Sequence, residues 1–454
     1  MTRRRSRLGT WWWEARYWVG PNLWAVPFGM AGVTAALFAV TRSLDARVAP
    51  AASGWARALP EWLLVRNAVD ANVMLSAFLS ALATTLALVF SISVLTFSLA
   101  SSQMGPRLIR RFILDPVTQL TLGAYLSAIL MCSLTLGSVS TSRTAGPVPE
   151  VSYALAVLMS LACFFMLIVY VHRVAVTIQV PHVVAAVVGE LDRTMAEAAV
   201  YLPDLVRSDD ADHVEELTAS ARSDGAVVVA ERSGYLQGID HPRLLDAAEQ
   251  SGSVIVMAHR VGQFVVVGQP LAHVVPPTAA TAVRRALHEA VEIGAARTRN
   301  QDIEFALNQV VEIGLRALSP AINDTFTGRT CVDWLGASLV RIGTRPDPTG
   351  GLCGVDGSVR VVEPPLRFDR LLRNAFDLLR QAGSDNPAIS IRMFDALATL
   401  ARTVDPMHLP CVRAYADAVL ESATAGPLAD IDRADVVHRH AAAVAAVEDR
   451  RAAA

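Results

Sequence analysis

The residues best suited to chemistry gather in one polar loop. Its hydroxyl, amide and carboxylate groups belong to Ser319, Asn323, Asp324, Thr325 and Thr327. Oxygen atoms of this kind suit a hard cation such as calcium or magnesium, although the residues do not select a metal. A structural interpretation is also open, in which Ser319-Pro320 ends one helix and Asn323 or Asp324 caps the next. The loop is therefore a candidate ligand site with an unknown metal.

A second set of oxygen atoms forms a stripe along one apolar segment. Its members are Ser76, Ser80, Thr84, Ser91, Ser98 and Ser102. At about 100° per residue they fall within an arc of roughly 80° on a helix. Small hydroxylated residues let membrane helices pack closely, and hydroxyls also line pores. The stripe is thus either a packing face or a candidate pathway, and the two are compatible if copies pack around an axis.

Basic residues follow this segment. Gly105-Pro106 interrupts the helix, and Arg107, Arg110 and Arg111 come next. They either meet lipid phosphates or attract anions to the mouth of a pathway. His172 is a further candidate at the mouth, with a simple interfacial anchor as the alternative.

Enzyme signatures are missing from the sequence. There is no Walker loop, no His-Glu-x-x-His, no Gly-x-Ser-x-Gly and no cysteine pair at metal-binding spacing. We therefore predict no catalytic residue and no cofactor. The formal net charge of −2 argues against a nucleic-acid partner.

The elements that hold these residues begin with four stretches that lack Asp, Glu, Arg and Lys. They are Tyr17 to Thr41, Ala71 to Pro106, Pro116 to Ser142 and Val151 to Val171. Each has the roughly 20 residues that a helix needs to cross a bilayer, without a charge that would cost a few kcal/mol at its centre. The second runs about 36 residues, or about 54 Å as a helix, so part of it leaves the bilayer or it tilts strongly. We predict a four-span region with the lipid bilayer as its partner.

Arginines set the orientation of these spans. Arg3, Arg4, Arg5 and Arg7 precede the first span, and three arginines separate the second and third, whereas Arg143 stands alone between the third and fourth. The positive-inside rule then places both termini in the cytoplasm.

After Val171 the chain becomes charged and of ordinary periodicity. Short β-rich runs occur at Ala226 to Ala230, Gly234 to Ile239, Val254 to Ala258 and Phe264 to Val267. The segment Val261 to Leu271 resembles the glycine-punctuated turn of biotinyl and lipoyl carrier barrels, but those carriers need a lysine and this chain has none. We predict a small β-barrel-like structural or docking module.

Helical spacing predominates from Thr278 onward, with 278–297 and 307–318 as helices, 343–364 as a loop and 365–404 as further helices. The residues after Ala423 predict a frayed terminal helix. The resulting plan is an interfacial N-terminal segment (1–20), a four-span membrane domain (21–173), a helical connector (174–222), a small β module (223–277), a helical cytoplasmic domain (278–423) and an Ala-rich terminal helix or tail (424–454).

Three phrases carry a resemblance to a family. They are Leu95 to Arg107 (LTFSLASSQMGPR), Gly234 to Asp240 (GYLQGID) and Ala317 to Thr327 (ALSPAINDTFT). In this order they resemble the bacterial predicted membrane proteins grouped as domain of unknown function 2254, over roughly residues 20 to 420. The resemblance implies a bacterial inner-membrane protein. Thr325 stands where the family phrase usually has proline, so the rigidity of that turn is in question.

The fold class is therefore an α-helical integral membrane region of about four spans with a cytoplasmic α+β region. As a function we predict an ion channel or transporter, formed as a homo-oligomer and regulated by the cytoplasmic region. The competing hypothesis is a membrane-anchored scaffold or sensor whose spans only hold the soluble region at the membrane.

Overall fold

The computed structural model describes residues 24–48, 68–104, 115–140, 149–177, 183–189, 210–298 and 301–453. They fall into two compact units, Met1–Gln179 and Val180–Ala454. We call the first the membrane unit and the second the C-terminal unit.

The membrane unit contains four helices that are long and apolar enough to cross a bilayer. They are α1 (Ala25–Val48), α2 (Ala68–Met104), α3 (Pro116–Ser140) and α4 (Glu150–Thr177). The four helices predicted from the charge-free stretches are thereby confirmed. Helix α2 is continuous over 37 residues, which at 1.5 Å per residue exceeds the roughly 30 Å hydrocarbon core of a bilayer.

Helix α3 packs against each of the other three helices and is the most buried of the four. Its Tyr125 and Met131 are fully buried, and the Tyr125 hydroxyl donates to the carbonyl oxygen of Cys163 on α4 at 3.0 Å. Asp45 of α1 joins the beginning of α4, where its carboxylate accepts from the Val151 amide at 2.8 Å and the Ser152 hydroxyl at 2.6 Å. The bundle is thus held by apolar packing and by hydrogen bonds between its helices, although the buried hydroxyls of Ser127, Thr135 and Tyr153 have no partner among the described residues.

The C-terminal unit begins with a short helix at 183–189, α5, and helix α6 (Ala211–Asp224). Two sheets follow. The first has five strands in the order β1-β5-β3-β8-β7, and the second has three in the order β4-β2-β6. The strands are β1 (Ala226–Val229), β2 (Gly234–Ile239), β3 (Val254–Met257), β4 (Phe264–Val265), β5 (Pro270–Val275), β6 (Val291–Gly294), β7 (Gly351–Cys353) and β8 (Val359–Val362).

Helices cover both faces of the five-stranded sheet. Val256 of β3 packs on one face with residues of α6, whereas Ile255 and Met257 pack on the other with residues of α7 (His241–Ser251) and α8 (Ala280–Ala290). This alternation follows from the two-residue period of a strand. The barrel-like closure that we predicted is not confirmed, because both sheets described are open. Strand β3 pairs with β8 and β5, and β1 remains at the edge.

The rest of this unit is helical. Its helices are α9 (Ile303–Ala317), α10 (Thr325–Gly343), α11 (Phe368–Ala382), α12 (Pro387–Thr403), α13 (Leu409–Thr424) and α14 (Asp430–Ala453). The terminal helix α14 packs on α12 and α13, and His440 hydrogen-bonds Asp417 at 2.8 Å. The last segment is therefore part of the packed structure, where the sequence predicted fraying.

Candidate functional site

The hydroxyl stripe lies on the outer face of α2. Ser76, Ser80, Thr84, Ser91 and Ser98 are exposed, and the side chain of Ser102 lies outside the described residues. Fully buried Leu75, Leu82 and Val89 mark the packed face of the same helix. At about 100° per residue the two faces lie nearly opposite each other. The stripe therefore takes no part in packing among the described helices of this unit.

Other hydroxyls, which the sequence did not single out, perform that packing. Ser93 is buried and its hydroxyl lies 2.6 Å from the Tyr170 hydroxyl on α4. Thr96 is also buried and donates to the carbonyl oxygen of Ile92 at 2.7 Å. Both residues fall on the same side of α2 as Leu75, Leu82 and Val89, and this helical spacing could have predicted their burial from the sequence.

A small cavity adjoins these residues at the ends of α2, α3 and α4. Its volume is about 20 Å³, which is room for about one water molecule. Asp115 lines it, accepts from the Thr118 amide at 3.0 Å and pairs with Arg173 at 3.5 Å. His172 is exposed beside Arg173. Arg107, Arg110 and Arg111 lie outside the described residues, so the predicted basic mouth stays a prediction.

The polar loop joins α9 to α10, and its groups serve the helix ends. Asp324 caps α10, because its carboxylate accepts from the Thr327 amide at 3.0 Å and the Thr327 hydroxyl at 2.6 Å. These hydrogen bonds hold the pKa of Asp324 below its ordinary value. The Ser319 hydroxyl donates to the Arg316 carbonyl oxygen at 2.7 Å, and Asn323 is exposed with a left-handed φ of 50°.

Thr325 replaces the rigidity of a proline with a side-chain contact. Its hydroxyl accepts from the Asn386 amide group at 2.8 Å, and Asn386 itself caps α12. The beginnings of α10 and α12 are thus tied together, which a proline at this position would not do. Within the described part of the chain, no group of three or more His, Cys, Asp or Glu is arranged to hold a metal. A calcium or magnesium ion in the loop could therefore bind only to oxygen atoms of these capping residues.

Asp324→Ala is expected to lower stability by about 1 kcal/mol, as loss of a helix cap does. Thermal unfolding of the full-length protein in detergent measures this change, and Asp385→Ala, which removes an exposed carboxylate in the same unit, is the control. Millimolar magnesium or calcium should leave the wild-type Tm unchanged. A metal-induced rise in Tm that Asp324→Ala abolishes would instead establish the loop as a cation site.

Arg260 and Arg297 join the β-rich part of the C-terminal unit to α9 through ion pairs with Glu304 and Asp302, and Arg370 of α11 adds a third pair. Glu304 is buried and accepts from Arg260 at 3.1 Å and from Arg370 at 2.6 Å. Asp302, 2% exposed, caps α9 and is held by Arg297 at 2.7 and 2.8 Å. Burial alone would raise the pKa of Glu304, but the hydrogen bonds and charges of both arginines outweigh it and lower that pKa. We call these residues the Asp302–Glu304 junction.

Comparison with known proteins gives the same family that the three phrases indicated. The family model described as "Predicted membrane protein (DUF2254)" matches residues 21–399. Uncharacterized proteins of Mycobacterium tuberculosis and Mycobacterium bovis are 28% identical over 386 residues, which is 84% of this chain and 73% of each relative. No solved structure matches. With four candidate spans and a family match over most of its length, the chain belongs to the DUF2254 family of predicted membrane proteins.

Proposed function

We propose that this protein is an oligomeric channel or transporter in which copies of α2 turn their hydroxyl stripes toward a common axis. The observation that carries this proposal is the exposure of Ser76, Ser80, Thr84, Ser91 and Ser98 opposite the packed face of α2. The Thr84 hydroxyl donates to the Ser80 carbonyl oxygen at 2.9 Å, but lipid tails offer the serine hydroxyls of the stripe no partner. A face of this kind therefore favours another copy or water over hydrocarbon.

A pathway inside one copy has less support. The cavity beside Asp115 has a volume of only about 20 Å³, enough for about one water molecule. The inward hydroxyls of Ser93 and Thr96 make hydrogen bonds within the bundle. An ion route therefore fits better between copies than through the four-helix bundle described.

We further propose that the protein lies in the bacterial inner membrane with both termini in the cytoplasm, where the C-terminal unit regulates the pathway. The arginine distribution supports this orientation.

A cysteine placed at Ser233, in a chain without its native cysteines, should be protected from a membrane-impermeant reagent in intact cells. Labelling of this cysteine from outside the cell would contradict the proposed orientation.

Ser91→Leu is expected to reduce ion flux on the order of tenfold, because leucine obstructs and dewets a narrow polar pathway. Leucine also enters a bilayer more favourably than serine, so membrane insertion should be unaffected. Purified protein is placed in liposomes, and potassium, sodium and chloride fluxes are measured for wild type and variant.

The matched control is Ala162→Leu, which adds bulk at an exposed position on α4, away from the stripe. It should retain wild-type flux. Thr85 is a poorer control because it is half-buried and its hydroxyl donates to the Ala81 carbonyl oxygen at 2.9 Å. Absence of wild-type flux from an intact oligomer would contradict the pathway and favour the competing function, a membrane-anchored scaffold or sensor.

A further inference from the structure

A polar cavity of about 140 Å³ lies between α11 and α13 in the C-terminal unit. Its volume is close to the ~150 Å³ that accommodates one benzene molecule in a protein core. The polar side chains that line it are those of Asp369, Arg373, Asp377, Arg380 and Tyr415. Two carboxylates therefore face two guanidinium groups, and the formal charge of the lining is balanced.

Part of this lining is already paired. The Tyr415 hydroxyl donates to Asp377 at 3.0 Å, and Arg380 lies 3.7 Å from the same carboxylate. Burial, together with the charge of Asp377, raises the pKa of Tyr415, so this side chain keeps its proton. These three residues form a fixed wall of the cavity.

The charged groups of the cavity still have unused hydrogen-bonding capacity. The Nε of Arg380 is buried and has no hydrogen-bond acceptor among the described residues. Arg373 stands four residues from both Asp369 and Asp377, the spacing at which opposite charges usually pair on a helix. Across the described ranges, however, neither carboxylate lies within ion-pairing distance of Arg373, and Asp369 meets only Arg367, at 3.8 Å.

A ligand that satisfies these groups must supply both signs of charge. Carboxylates accept paired hydrogen bonds from guanidinium groups, and an ammonium group complements Asp369. The two arginines disfavour a divalent cation, and the two aspartates disfavour a phosphate. We propose that this cavity binds a small zwitterion of the amino-acid class, with its carboxylate on Arg373 and Arg380 and its ammonium group on Asp369.

Size narrows the choice within this class. A cavity that matches benzene admits about six non-hydrogen atoms, which is the number in alanine. Ala414 is exposed at the cavity, so the small side chains of α13 leave room for the ligand to enter. Larger amino acids should bind more weakly.

The test uses the full-length protein in lipid nanodiscs, with binding followed by calorimetry and by saturation-transfer NMR. L-alanine is expected to bind and to raise the Tm. Propionate and ethylamine, which each keep one of its two charges, should bind at least about tenfold more weakly. Arg373→Gln and Asp369→Asn should each reduce L-alanine binding to a similar extent, whereas Arg402→Gln, at an exposed arginine outside the cavity, should not.

Ala414→Leu provides an independent variant, because it fills the cavity without altering its charges and should also abolish binding. No binding of L-alanine, glycine or L-serine at millimolar concentration would overturn the proposal. So would L-alanine binding that survives Arg373→Gln, or tighter binding of inorganic phosphate than of L-alanine. Arg373 and Asp369 are exposed, so both variants should fold even if Ala414→Leu does not. Binding is measured without ion flux, so failure here would leave the pathway proposal standing.

Discussion

Glu304→Gln is expected to destabilise the C-terminal unit by about 3 kcal/mol. Glu304 lies at the Asp302–Glu304 junction, where its side chain is 9% exposed and that of Arg260 is 12% exposed. The attraction between two buried charges roughly offsets the cost of removing them from water, so the intact pair adds little net stability. Removing one partner is different, because the other charge stays buried without compensation.

The substitution leaves Arg260 as a buried charge without its anionic partner. Its Nε is already buried with no hydrogen-bond partner among the described residues, and without the Glu304 carboxylate its terminal nitrogen also loses an anionic acceptor. Arg370 can turn to water, since its side chain is 53% exposed. The expected loss therefore comes mainly from one stranded guanidinium group.

Thermal unfolding of the full-length protein in detergent measures the change. The matched control is Glu289→Gln, because Glu289 also contacts two arginines, Arg243 and Arg285, but at the surface. Surface pairs contribute little, so this variant should unfold close to wild type. Equal shifts for both variants would contradict the assignment of a buried, uncompensated charge.

The pH dependence has a definite sign. Because folding lowers the pKa of Glu304, its contribution is fully present above the pKa of an unfolded glutamate, about 4.3. The contribution falls as the pH drops below that value and through the lower pKa of the folded state. Wild type should therefore lose more stability than Glu304→Gln on acidification over this range. Parallel stability curves for the two proteins would show that Glu304 is not held as a carboxylate.

The membrane helices could be predicted from the sequence because a charge at mid-bilayer is expensive, and long stretches without charge are rare for any other reason. The first four strands were predicted for a local reason too, since their apolar residues cluster between turns. Strand β6 was not, because 278–297 has helical spacing and Val291–Gly294 becomes extended only by pairing with β2.

Nonlocal pairing also explains the two strands found in the predicted loop at 343–364. Strand β8 pairs in parallel with β3, with Ile255 opposite Val361, and this partner lies far away in the chain. The same limit applies to candidate sites. The capping role of Asp324 was readable from adjacent residues, whereas Arg260, Glu304 and Arg370 meet only after the β-rich and helical parts have folded together.

Gly262→Ala is expected to cost about 3 to 5 kcal/mol through strain and overpacking combined. Gly262 lies in the turn before β4 with a φ of +90°, a conformation that L-amino acids with a Cβ atom rarely adopt. Its amide donates to the Leu236 carbonyl oxygen at 2.8 Å, so the turn is held against β2 and cannot relax freely.

Space is the second penalty. A Cβ atom on Gly262 would lie 2.3 Å from the Asp302 Oδ2 atom and 2.9 Å from an Arg297 nitrogen. Asp302 cannot move aside without losing both its bidentate pair with Arg297 and its cap on α9. The added methyl group therefore disrupts the Asp302–Glu304 junction from the β-rich part of the unit, whereas Glu304→Gln disrupts it from helix α9.

Gly268→Ala separates the two penalties. Gly268 also has a positive φ, +83°, but a Cβ atom there would meet nothing within 4 Å. This control should show only the conformational cost, about 1–2 kcal/mol, and the difference between the variants reports the clash at Asp302. For Gly262→Ala we expect the Tm to fall by on the order of 10 °C, measured on the full-length protein. Equal shifts in Tm for both variants would mean that Gly262 does not closely contact the Asp302 side chain. The close approach of the β-rich part to α9 would then have to be rejected.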